Sequence, residues 1–144
     1  VRMFNFFSNK KFSEIESSID KNAIITSILY ECANEDGDVN NSEINQIKTL
    51  LNSKLGLSED EADTIFKKAE DLSKNRIELY SLSKEIRDNF DKDEIIKILE
   101  YMWAVVLADG ELDDFEAALM SKAVGLLHLT GRESAEARER AKKI

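Results

Sequence analysis

The sequence predicts an all-α protein: a compact bundle of about seven helices with an internal pseudo-twofold duplication. Three observations predict it. Apolar residues recur at three- and four-residue steps along most of the chain. The 144 residues contain no proline and only five glycines, so the turn residues that an all-β sandwich needs are scarce. One stretch of sequence also occurs twice, at matched points of the helical pattern.

Residues 1–19 form an aromatic and basic segment in which Phe4, Phe6, Phe7 and Phe12 flank Lys10 and Lys11. Exposed, these aromatics would be an aggregation liability, so the segment is expected to pack on the bundle. A peripheral membrane contact through Phe4, Phe6 and Phe7 is the lesser alternative. A short helix fits Ser13 to Asp20, and the helical domain proper is expected over 20–144, with repeat units at about 20–72 and 91–144.

Asp20 is the expected N-cap of the first core helix, Lys21 to Ala33, where Ile24, Ile25, Ile28, Leu29 and Cys32 line one face. After a polar break at Asn34 to Asn41, Ile44, Ile47, Leu50 and Leu51 repeat the stripe until Gly56 stops it. Ser58 with Glu61 is a capping-box pattern ahead of Ala62, Ile65, Phe66 and Ala69. Leu79, Leu82, Ile86 and Phe90 mark a fourth helix. Asp91 with Glu94 caps a fifth, whose apolar residues Ile95, Ile96, Leu99, Met102, Trp103, Val105, Val106 and Leu107 surround most of its circumference; it should be central. Asp113 with Glu116 caps a sixth helix carrying Leu119, Met120, Ala123, Val124 and Leu127. Thr130 with Glu133 caps a charged terminal helix of low apolar content.

Composition removes several classes of function. Twenty Lys and Arg against 29 Asp and Glu give a net charge of −9, which repels phosphate backbones, so nucleic acid is not expected as a partner. The single cysteine, Cys32, cannot form an internal disulfide or a CxxC centre. The single histidine, His128, excludes multi-histidine metal sites and argues against a Ser-His-Asp triad. No stretch approaches the roughly 18 apolar residues of a membrane span, and no signal-peptide pattern opens the chain, so a cytoplasmic location is expected.

The repeat places Leu29 to Glu43 over Met102 to Glu116 without a gap. With one residue removed it continues, pairing Leu55, Leu57, Ser58 and Glu61 with Leu127, Leu129, Thr130 and Glu133. Each copy holds an acidic turn: Asp36, Gly37 and Glu43 in the first, Asp109, Gly110 and Glu116 in the second, with Asp38 and Glu111 beside the glycines. Two carboxylates so spaced, one before a glycine turn and one in the first turn of the next helix, suit a hard cation such as calcium or magnesium. A true EF-hand is rejected: with glycine at the sixth loop position and glutamate at the twelfth, Cys32 would take the first position of one loop, and Val105 and Leu107 ligand positions of the other. Capping chemistry also accounts for much of the motif, since Asn40 with Glu43 and Asp113 with Glu116 are capping boxes. Asp36 and Asp109, however, follow a helix C-terminus, where negative charge opposes the helix dipole and a cation or basic partner would relieve the repulsion. A cation site, an acidic docking surface and turn chemistry alone all remain open on these residues.

The pattern Ala33-Asn-Glu-Asp36-Gly37-Asp-Val39 to Glu43, repeated as Val106-Leu-Ala-Asp109-Gly110-Glu-Leu112 to Glu116, resembles the TerB tellurite-resistance family and its relatives, including the N-terminal domain type of DjlA co-chaperones. The resemblance covers about residues 20–143. It implies a compact all-α bundle with internal pseudosymmetry and an acidic, metal-binding face at Asp36, Glu43, Asp109 and Glu116. The family name describes a phenotype. With one cysteine and no nucleotide or flavin motif, any role in tellurite or stress resistance would be indirect.

Other residues have plainer readings. Cys32 lies on an apolar stripe and Tyr101 and Trp103 on the most apolar helix, as expected of core residues. His128 ends a helix, where an imidazolium gains from the dipole. Arg132, Arg138, Arg140, Lys142 and Lys143 alternate with glutamates as on a solvated helix face. The expectation is therefore a non-enzymatic, divalent-cation-responsive binding module with a protein partner. The alternative is a metal-independent acidic scaffold that docks a basic partner.

Overall fold

The computed structural model describes residues 9–34, 39–74, 79–108, 110 and 112–144, with side chains from residue 21 onward. Seven α-helices account for nearly all of it: α1 (Asn9–Ala33), α2 (Asn41–Ser53), α3 (Glu59–Lys74), α4 (Leu79–Asn89), α5 (Lys92–Val106), α6 (Asp114–Leu126) and α7 (Gly131–Ala141). Among the described residues there is no strand, and no helix is long and apolar enough to cross a membrane.

The first helix differs from expectation. It runs unbroken for 25 residues, so Asp20 lies inside it instead of capping it, and the short helix expected at Ser13 to Asp20 is its N-terminal half. No proline or glycine interrupts residues 9–33, so nothing in the local chemistry ends the helix there. Phe4, Phe6 and Phe7, with the rest of residues 1–8, lie outside the described residues, and the packing expected of them is not described.

The five capping-box patterns all form. Glu43, Glu61, Glu94, Glu116 and Glu133 each donate a backbone N–H to the N-cap side chain three residues earlier, at 2.7–3.1 Å, and accept the N-cap backbone N–H in return. These reciprocal bonds satisfy donors that helix starts otherwise leave open, which is why the boundaries could be read from sequence.

Helix α5 is the centre. All residues from Ile98 to Val106 are buried, and α1, α2, α4, α6 and α7 pack around it. Such all-round burial follows from its all-round apolar character. The most extensive pairings are α1 with α3 and α5 with α7. Helices α1 and α5 pack together, as expected of the two apolar helices of the repeat, and α4 packs on α1 and α6. Cys32, Tyr101 and Trp103 are core residues.

Gly56 ends α2 as expected, with φ +69°. Its neighbours close the helix: the Leu55 and Leu57 N–H groups donate to the Leu50 and Leu51 carbonyls at 3.2 and 3.0 Å. His128 does the same work after α6 with φ +58°, while Leu129 N–H reaches the Val124 carbonyl at 3.0 Å. A backbone role for His128 was not expected.

Candidate functional site

The acidic turns follow α1 and α5 and lead into α2 and α6. Asp36, Gly37, Asp38, Asp109 and Glu111 lie outside the described residues, so what is expected of their side chains is not described. What the structure places are the glutamates at the far side of each turn. Gly110 takes φ +85°, and its N–H donates to the Leu107 carbonyl at 3.0 Å, which reverses the chain after α5.

Glu43 and Glu116 occupy the third position of α2 and α6. Each accepts the N-cap backbone N–H through one carboxylate oxygen, from Asn40 at 3.4 Å and from Asp113 at 3.2 Å. A capping box asks for no more, and it works on the surface, as Glu61 and Glu94 show: both are exposed. Glu43 and Glu116 are instead buried, with 5% and 7% of their surface accessible. Burial withdraws water from a carboxylate and requires that protein groups or an ion replace it. The glutamates of the two acidic turns thus share a burial that capping does not require.

Polar groups collect near the first turn. Asn34, directly after α1, donates from Nδ2 to Ser73 Oγ at 3.4 Å. Burial raises the pKa of Glu31, while a hydrogen bond with Ser73 works in the opposite direction. The second turn lies beside α2: Gly110 and Leu112 line a cavity together with Gln46, one turn of α2 beyond Glu43. Among the described residues, no three Cys, His, Asp or Glu side chains come together in a group that could hold a metal ion. Four of the six expected ligands lie outside that set. Glu43 and Glu116 offer only carboxylate oxygen, which suits calcium or magnesium rather than softer metals.

At the N-terminus of α6, Phe115 is 66% exposed between Asp114 and Glu116. Its counterpart in the first copy is Ser42, so the two turns present different surfaces.

Three further features were missed on sequence. Glu100 is buried on α5 and accepts from Arg140 Nε at 2.8 Å, with Lys97 Nζ at 3.6 Å. Arg138 lies over the Trp103 ring, its guanidinium carbon 5.0 Å from the centroid. The α7 cations are therefore not simply a solvated face, as their alternation with glutamates suggests. An Arg at i+4 from Ser134, with Trp103 on the helix expected to be central, was the available signal. The third is the left-handed His128, legible as the repeat partner of Gly56.

Fold and site together define an all-α domain in which α2 and α6 each follow an acidic stretch and begin with a buried, capping glutamate. The chain belongs to the TerB family: the family model described as tellurite resistance protein TerB matches residues 22–139. None of the curated proteins matches it significantly. A crystal structure of a protein of unknown function from Porphyromonas gingivalis W83 has the same fold, with a TM-score of 0.64 and 22% identity over 88% of this chain and 96% of that one.

Proposed function

We propose that this TerB-family chain is a non-enzymatic binding module that responds to a divalent cation. Asp36, Glu43, Asp109 and Glu116 hold calcium or magnesium, with Asp38 and Glu111 as auxiliary ligands, and the bound ion alters the acidic face offered to a protein partner in the cytoplasm. The burial of Glu43 and Glu116 carries this reading, because exposed glutamates make the same capping boxes elsewhere in the chain. That Gly110 and Leu112 of the second turn line one cavity with Gln46 of α2 supports a shared acidic face. The family name connects the module to tellurite and stress resistance, a role that is indirect here because a buried lone cysteine offers no thiol chemistry.

The test is thermal melting of metal-stripped protein with and without calcium, magnesium, manganese or zinc, repeated on a variant carrying Asp36→Asn and Asp109→Asn. An ion at a hundred times its dissociation constant stabilises by about 2.7 kcal/mol, a shift of several degrees for a domain of this size. A selective shift absent from the variant is expected; no shift with any ion overturns the reading.

One observation favours a second reading, a metal-independent scaffold for a basic partner. Phe115 stands exposed in the acidic first turn of α6, next to the exposed Asp114. Partner binding that is lost in Phe115→Ser and unaffected by chelator would select it.

A further inference from the structure

Two cavities meet along α7, and Arg138 lines both. One, of about 450 Å³, lies between α2, the end of α5 and α7, with Leu107, Leu112 and Ala141 as apolar wall and Arg138 and Lys142 as its cations. The other, of about 460 Å³, runs past Trp103 and Ser134 to the same two cations. Both are in the size range of small-molecule sites.

Arg138 is held in place but not neutralised. Ser134 and Arg138, one turn apart on α7, grip the Trp103 indole: its Nε1–H donates to Ser134 Oγ at 3.1 Å, and the guanidinium covers the ring face. Arg138 makes no ion pair with any described residue, whereas its neighbours do, Arg140 with Glu100 and Lys142 with Glu139. Its Nε is buried without a hydrogen-bond partner. A buried guanidinium N–H normally finds an acceptor, and at Arg138 Nε no described group supplies one.

We infer that the cavity beside Arg138 binds a small amphipathic carboxylate, its head on the Arg138 guanidinium and its aliphatic body against Leu107, Leu112 and Ala141. The planar guanidinium fork matches a carboxylate through two parallel N–H bonds, and the indole fixes the plane of that fork in advance. The apolar wall selects a ligand with a hydrocarbon body over a bare inorganic anion. The inference uses none of the proposed ion ligands, so it stands or falls separately from the cation reading.

The test is an octanoate titration of the wild-type protein, followed by fluorescence of Trp103, the single tryptophan, and by the NMR shift of the Arg138 Nε–H. Saturable changes in both are expected. Arg138→Gln should weaken octanoate binding about tenfold or more, the effect of losing a charge-assisted bond. Neutral octanol should leave the Nε–H resonance unmoved, and inorganic phosphate should compete weakly. The inference is overturned by no saturable change in the wild type, by an octanol response equal to that of octanoate, by phosphate binding as tightly, or by unchanged affinity in Arg138→Gln. If Arg138→Gln does not fold, Lys142→Gln replaces it: weakened octanoate binding supports the site, and unchanged affinity overturns it.

Discussion

Gly56 and His128 hold the same left-handed backbone conformation, with φ of +69° and +58°, at equivalent places in the two halves of the chain. Only glycine adopts it without cost; an L-residue loses roughly 1–2 kcal/mol there. Replacing His128 with glycine should therefore stabilise the protein by about 0.5–1 kcal/mol, after allowing for the greater freedom of glycine in the unfolded chain. Gly56→Ala should destabilise it by about 1 kcal/mol, and for backbone reasons alone, because a Cβ at that position meets no atom within 4 Å. Urea unfolding of the two variants measures both effects.

The buried Glu100 depends on Arg140. Replacing Arg140 with methionine leaves that carboxylate with only Lys97 at 3.6 Å, and should cost about 1–3 kcal/mol. Glu100→Gln, which keeps a polar group for Arg140 but removes the buried charge, should cost less. Equal losses in chemical denaturation would show that packing, not charge, decides the site.

Glu31 gives stability a pH dependence of known sign. Because burial raises its folded pKa, folding takes up a proton between the ordinary carboxylate value and the raised one, so this residue's contribution falls as pH rises through that window. Glu31→Gln should be more stable than wild type at neutral pH. The difference should shrink as pH falls below the ordinary carboxylate range, and paired melts across that range check it.

Removing the Ser134 hydroxyl leaves the indole N–H of Trp103 buried without its acceptor. Ser134→Ala should cost about 1–2 kcal/mol and shift the emission of the single tryptophan. Calorimetry and fluorescence on one sample test both.

Glutamine can occupy the third position of a capping box. Glu43→Gln with Glu116→Gln should therefore preserve α2 and α6 in circular dichroism while abolishing any ion-dependent rise in melting temperature. Loss of helix in the absence of ions would show that these carboxylates serve capping alone.

The fold was legible because its signals are local. Each capping box lies within four residues, and each apolar stripe follows from periodicity, so Asn40, Ser58, Asp91, Asp113 and Thr130 marked helix starts without knowledge of their neighbours. The N-terminal start of α1 was misplaced because Asp20 satisfies the rule for a cap while nothing before it breaks the helix. Of the site, the identity of Glu43 and Glu116 could be read, but their burial could not, since it depends on helices distant in sequence. The same reason hid Glu100 with Arg140 and Trp103 with Arg138: a charge alternating along a helix looks solvated until the neighbouring helix is placed.

The pairing of α1 with α3 and of α5 with α7 bears on how the chain assembles. Each pair closes over one short intervening helix, so the largest interfaces link residues close in sequence, and the more distant α1–α5 contact joins surfaces already formed. Such a topology favours rapid folding by halves, with docking as the last step, and makes that seam the natural place for partial opening in hydrogen exchange.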